Sequence, residues 1–409
     1  MSGSEQSRLH SYRTPFVRAC LAGRSDDAAS AWFGELEKVV EESVAPHAEA
    51  VDRNATSSVT ALDALRDVGA FGVQVPRRFG GLGLDDRAAA LVVERVARGC
   101  ASTAAVLMFH YQVVRRTLAH GSGPQRDDDL AAFASGRCIA ASAWTEAGSG
   151  KGKRDVATVL RQDADGRRLE GVKTFCTGLP GAAIVHVLAK AEPADGPSGP
   201  VFVRVDAKDP GVSCPELYPL LGLRGSGTGT LTLRGVRVTE ADLVGPVGSG
   251  GALMRENHEV CLNPGLLALG IAGAALETAL GMCTGQLPGT ADRMRSETVR
   301  RALARAVVQV ESAYLYGAHA VGGGDTPQAH VLTGKFKLAA TAAAQRVTAE
   351  LMAAVGSRGF LASFPLERHF RDAQATSLMG PANDLITDRI TDDLTAGPHS
   401  DLTTSGGTS

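Results

Sequence analysis

The sequence has no paired cysteines. Cys20, Cys100, Cys138, Cys176, Cys214, Cys261 and Cys283 all stand singly. Without a CxxC pair the common zinc spacings are excluded, so no metal is expected, and single thiols suit reduced residues packed as small hydrophobes. Charge of one sign is lacking too: 42 basic residues face 44 acidic ones, for a net charge of −2. That balance gives no electrostatic case for nucleic acid or for an anionic membrane. No apolar run is expected to reach the roughly 18–20 residues that cross a bilayer. The opening stretch MSGSEQSRLHSYRTPF holds no apolar signal core, so the cytoplasm is the expected location. What remains is a globular composition, 44% hydrophobic and 21% charged. At 409 residues the chain exceeds one compact core, and sub-domains that share a core are expected.

Residues 1–27 are polar and irregular and predict a flexible arm. From 28 to 135 the pattern is helical. Leu62, Leu65 and Val68 recur at helical spacing until Gly69, Gly72 and Pro76 interrupt them. The segment from Arg87 to His120 predicts two buried helices. From 136 to 248 the character changes to short β-branched runs punctuated by glycine, which predict antiparallel strands of a barrel or sandwich. Helices return over 249–395. Ser296 is a candidate N-cap, and Gly356 or Gly359 a helix stop. Residues 396–409 predict a disordered tail. Two helical blocks around a β segment must share a core, or each would expose an apolar face. Ligand sites favour such junctions.

Four glycine-containing segments occur in a telling order: FGGLGLDD (79–86), WTEAGSGKGKRDV (144–156), LGLRGSGTGTLTLRGVRV (221–238) and AAVGSRGFLASFPLERHFRDA (353–373). Together they resemble the acyl-CoA dehydrogenase superfamily over about 28–390. The resemblance implies an N-terminal helical domain, a middle β domain and a C-terminal four-helix bundle, assembled as a homodimer or homotetramer. It also implies FAD between the β domain and the bundle, partly across a subunit interface. Thr145 and Glu146 match the family's Thr-Glu dipeptide at the flavin edge, where donors meet the negative charge of reduced flavin. Gly148 and Ser149 lie in the loop that approaches the cofactor or the acyl chain. Phe175 matches an aromatic, usually tryptophan, over one flavin face, and Thr177 a threonine beside it. Gly356 matches a glycine of the cofactor loop. Arg224 matches an arginine of the β-domain loop and is a candidate substrate contact. Arg371 and Asp372 match an Arg-Asp pair, read here as structural.

The departures bear on the chemistry. The family's usual catalytic glutamate falls nine positions after Arg371, where this sequence has Gly380. Relatives that place the base on the first long bundle helix align it at about Val260, next to Glu259. The arginine that follows there becomes Cys261, a candidate substrate contact. Lys151 stands where a serine follows the Thr-Glu loop. The Arg-x-x-Phe-Gly stretch that helps hold FAD is replaced by GQLPGTADRMRSETVR. Ala353 replaces a glutamine and Ser357 a glycine of the cofactor loop. Glu259 and Asp384 are therefore the candidate bases, with Asp388 one turn beyond Asp384. His110 and Tyr111, in an apolar helix, are read as packing or as walls of the substrate site. One reading is a flavin oxidoreductase acting on an acyl thioester, on CoA or a carrier protein, with an electron-transfer partner and a substrate from specialised metabolism. A second is a monooxygenase of the same fold that receives reduced flavin, FAD or FMN, from a reductase. A third is a flavin-free binding relative.

Overall fold

The structure, a computed structural model, describes residues 11–22, 27–148, 156–164, 166–192, 197–323 and 329–395. The expected C-terminal tail and the first ten residues of the expected arm lie outside them. Residues 11–22 of that arm correct the sequence reading. Helix α1 (Thr14–Leu21) carries proline in its first turn and buries Phe16 and Cys20 completely. The Phe16 ring meets Tyr314 edge-on at 6.0 Å, so α1 is docked onto the C-terminal helices.

The N-terminal block continues with α2 (Asp27–Val39), α3 (Ala48–Asn54), α4 (Val59–Asp67), α5 (Asp86–Gly99), α6 (Ala101–His120) and α7 (Gly123–Ala134). The caps are where the sequence places donors and acceptors: Ser58 accepts from Ala61 N–H, and Asp85 from Ala88 N–H. Helices α5 and α6 are the two buried helices expected between Arg87 and His120.

The β domain holds β1 (Ile139–Ala143), β2 (Val159–Asp163), β3 (Gly166–Cys176), β4 (Ala182–Glu192), β5 (Gly199–Asp206), β6 (Val212–Leu217), β7 (Gly229–Val238) and β8 (Leu243–Val244). The strand order is β6-β7-β3-β2-β4-β5-β8, with β1 also on β4. The antiparallel expectation holds for most pairs. It fails where β4 runs parallel to both β1 and β2. Parallel pairing needs a long crossover, and the β2–β3 hairpin lies within the chain that returns from β1 to β4. Val185, Val187 and Ala189 of β4 oppose Val205, Val203 and Val201 of β5 and fill the domain's own core.

The C-terminal block is α8 (Gly250–Glu259), α9 (Gly265–Cys283), α10 (Glu297–Gly322), α11 (Ala329–Val355), α12 (Pro365–Leu378) and α13 (Asn383–Thr395). Helices α9 to α12 pack against one another as a bundle. Ser296 caps α10 as expected. Helix α9 corrects the reading of apolar runs: within its 19 residues an 18-residue window has a mean hydropathy of 1.8, enough to cross a bilayer by length and composition, yet 78% of that window is buried in the protein. It is the bundle's central helix. It approaches α5 so closely that a Cβ on Gly270 would stand 2.6 Å from the Glu94 carbonyl oxygen. One hydrophobic core therefore runs through both helical blocks, as the exposed-face argument required.

Candidate active site

A cleft of ≈ 490 Å³ opens between the β domain and the end of α12. Strand β1 delivers Ser142, and the chain beyond it delivers Trp144 and Thr145 to the same wall. The Thr145 carbonyl accepts from Thr174 N–H at 2.8 Å, which ties that wall to β3. At the end of β3, Phe175 has φ 53°, a left-handed conformation that a non-glycine residue adopts at a cost. Its ring is 62% exposed and leans on Tyr218 at 4.9 Å. A large bare ring beside a cleft offers a stacking face to a planar ligand. Thr177 closes this side, its hydroxyl 3.0 Å from that of Thr228.

The opposite wall is the last turn of α12 with Met379 and Gly380. A Cβ built on Gly380 would meet nothing within 4 Å, so the position looks into open space. Arg371 is the one ionisable residue of the lining among the described residues, and its guanidinium is committed elsewhere. It forks onto Asp52 at 2.6 and 2.8 Å and onto Glu367 at 2.7 and 2.9 Å, and reaches the Leu221 carbonyl at 3.1 Å. Asp372 is buried and accepts from Leu223 N–H at 2.6 Å. Burial pushes its pKa up to about 6, against the pull of that hydrogen bond. The pair clamps the 220–228 loop onto α12, which matches its structural reading.

The clamp leaves little room. A Cβ on Gly222 would stand 2.2 Å from the Arg371 carbonyl oxygen. Gly222→Ala is expected to lower unfolding free energy by about 1–3 kcal/mol through overpacking, read by urea denaturation. Unchanged stability would show that the loop is not held against α12.

Comparison with known proteins follows the same chain order. Models of the acyl-CoA dehydrogenase N-terminal, middle and C-terminal domains match residues 27–137, 141–236 and 262–395. The chain belongs to the acyl-CoA dehydrogenase family. The mitochondrial short-chain specific acyl-CoA dehydrogenase of Homo sapiens is 27% identical over 341 residues, 83% of each chain. Among solved structures, the FAD complex of PigA superposes with a TM-score of 0.81 at 20% identity, covering 91% of this chain and 98% of that one. The prolyl acyl carrier protein oxidase AnaB gives 0.80 at 20% identity, covering 91% and 100%.

Within this acyl-CoA dehydrogenase fold, several expected site residues lie away from the cleft. Glu146 does not line it. Its carboxylate accepts from the backbone N–H groups of Ala157 at 2.6 Å and Thr158 at 2.9 Å and pairs with the fully buried Lys173. Burial opposes its charge, but these donors hold its pKa below the usual carboxylate range. Glu146 thus pins the loop that presents Thr145. His110 is fully buried: its Nε2 faces the Phe71 carbonyl at 3.1 Å, and its Nδ1 accepts from Ala140 N–H at 3.1 Å. Those partners fix a neutral ring, burial lowers its pKa to about 4, and it is packing rather than a substrate contact. Tyr111 is likewise buried, with its hydroxyl on the Ala70 carbonyl.

Cys261 corrects another expectation. The chain turns there at φ 65° between α8 and α9, which drives the thiol into the core, fully buried. Arg224 lines a separate cavity of ≈ 280 Å³ with Asp52, Arg53 and Arg368. Gly356, at φ 78°, lines another of ≈ 480 Å³ with Arg293, Ser357 and Arg358. Glu259 is half-buried at the end of α8, and Asp384 and Asp388 are exposed on α13; none lines the cleft. Gly148 is described and exposed, whereas Ser149 and Lys151 lie outside the described residues. Sequence reasoning missed Ser142, Thr228 and His258. The His258 ring lies 6.5 Å from that of Trp144 and lines a pocket that includes Pro381, the residue after Gly380. An arginine inside an apolar helix, Arg116 of α6, was the one signal pointing towards Ser142.

Proposed function

We propose that this protein is an FAD-dependent oxidoreductase that acts on an acyl thioester carried by CoA or by a carrier protein. The observation that carries the proposal is the cleft itself. Trp144, Thr145, the bare Phe175 ring and Thr177 face a mostly apolar space at the domain junction, large enough for a planar ring system. FAD, when bound, supplies the hydride acceptor. Thr145 and Thr177 would orient its ring, and Phe175 would cover a face. Arg293, Arg358 and the backbone at Gly356 would hold a diphosphate, since two guanidiniums and an unhindered glycine converge there. The family's habit of sharing flavin across an interface makes a homodimer or homotetramer the expected assembly.

The thioester would lose a proton from Cα to a base and a hydride from Cβ to the cofactor. Position 380 supplies no base. We assign proton removal to the last turn of α8, which carries Glu259 and His258, because the His258 ring lies 6.5 Å from that of Trp144 and lines a pocket that Pro381 also lines. A lining so altered suits a specialised substrate rather than a fuel fatty acid. The reading does not use Asp384 or Asp388.

One observation favours a second reading. The described lining holds no carboxylate, imidazole or amine. A monooxygenase that receives reduced flavin from a reductase needs no base at Cα. The deciding experiment is a visible absorption spectrum of the purified protein, with the released flavin identified. Tightly held oxidised FAD is the expected result. A colourless protein that takes up flavin only after reduction would favour the monooxygenase, and one that binds neither form would overturn both.

A further inference from the structure

Behind the β1 wall of the cleft lies a charge the described fold does not balance. Arg116 of α6 is fully buried, and no carboxylate lies within ion-pair distance of it among the described residues. Its Nε and Nη1 have no hydrogen-bond partner. The guanidinium lies over the Phe202 ring at 4.3 Å and the Trp144 ring at 5.7 Å. The nearby acid Glu256 is engaged by Arg115 at 3.2 Å and His120 at 2.9 Å. His186, the β4 partner of Ser142, is buried with Nδ1 unpaired, and both amide atoms of Asn257 on α8 are buried and unpaired. A lone buried guanidinium costs several kcal/mol. Burial lowers its pKa to about 9, so it stays charged at neutral pH.

The single hydrogen bond it makes shows where the charge is directed. Arg116 Nη2 donates to Ser142 Oγ at 2.6 Å. Trp144 Nε1 donates to the same oxygen. A hydroxyl has two acceptor sites and one proton. Both acceptor sites of Ser142 are filled, so its proton must go to a third partner, and Ser142 lines the cleft. A hydroxyl that accepts from a cation is also a stronger donor.

We propose that Arg116 and Ser142 form a relay that delivers a charge-assisted O–H donor to the ring of the flavin in the cleft, and so favours its reduced, more negative state. The inference rests on the FAD reading above. Arg116 acts through Ser142 and is a positioning residue; Ser142 makes the contact.

The test is the midpoint potential of bound FAD in wild type, Ser142→Ala, Arg116→Met and Arg116→Lys. Arg116→Met is expected to fold, because an apolar replacement for a lone buried charge is often neutral or stabilising. Ser142→Ala and Arg116→Met should each lower the affinity for reduced relative to oxidised FAD by about tenfold, a potential shift of about −30 mV for a two-electron couple. Arg116→Lys should keep part of the effect. Thermal melts should not track the shifts. Variants that bind FAD at the wild-type potential, or that lose both redox states equally, would overturn the relay. A wild-type protein that takes up no flavin would instead overturn the functional reading, and the relay with it.

Discussion

In a background that carries both Glu259→Gln and His258→Gln, Gly380→Glu is expected to speed the bleaching of bound FAD by a saturated acyl thioester by about 10²-fold or more in an anaerobic single turnover. The magnitude is that of a well-placed general base. Three features of the site support it. A Cβ at 380 meets no atom within 4 Å. Its backbone φ lies outside the left-handed region, so an L-residue brings no strain there. The surrounding lining offers no competing carboxylate and leaves Arg371 tied to Asp52 and Glu367. Gly380→Gln has nearly the same shape and no basic oxygen pair, so it should give no gain. If Glu and Gln behave alike, proton removal at Cα does not limit the reaction, and the monooxygenase reading strengthens. If Glu gains and Glu259→Gln or His258→Gln loses in the wild-type background, the base belongs to α8. Unchanged turnover in both α8 variants would remove that assignment.

The sequence disclosed the fold where local pattern and long-range packing agree. Caps at Ser58, Asp85 and Ser296, and the β-branched runs of β4 and β5, all signal their elements locally. It misled where packing overrides composition. Residues 11–22 read as polar, yet Phe16 and Cys20 at helical spacing were enough to dock α1. The sequence reading expects no apolar run of bilayer length, yet α9 reaches one, because a helix buried in the bundle and packed closely on α5 needs no polar face. The site divides in the same way. Thr145, Phe175, Thr177 and Gly380 reach the cleft from motif positions. Glu146 sits beside Thr145 in sequence but points to Lys173, because successive residues of an extended chain face opposite ways. His110 is buried by helix geometry and Cys261 by the left-handed turn between α8 and α9, neither of which a motif match encodes. Ser142 needed a partner 26 residues away, Arg116, and no spacing rule connects them.

The second large effect comes from Lys337, which was equally invisible in sequence. It is fully buried in α11, and its amino group donates among three acceptors, the Met379 carbonyl at 2.9 Å, the Pro381 carbonyl at 2.6 Å and Asn383 Oδ1 at 3.0 Å. Those acceptors bracket Gly380, so one side chain fixes the segment that forms the far wall of the cleft. Asn383 in turn donates to Thr341 at 2.9 Å and ties the segment to α11 a second time. Lys337→Met keeps the apolar stem and removes every N–H donor to these acceptors. Each buried acceptor left bare costs about 1–3 kcal/mol, partly offset by no longer burying a charge. The expected net loss is about 2–4 kcal/mol in urea unfolding, with FAD affinity about tenfold weaker as the wall loosens. The loss should depend on pH. Burial lowers the Lys337 pKa from 10.5 to about 7, so between those values the unfolded chain holds the proton and the folded one does not. Wild-type stability therefore gains from this group as pH rises through that window, and the variant cannot share the gain. The deficit of Lys337→Met should widen from pH 7 towards pH 10. A deficit that is constant with pH would mean that the amine is charged throughout. No deficit at all would mean that Lys337 does not hold the wall in which Gly380 stands.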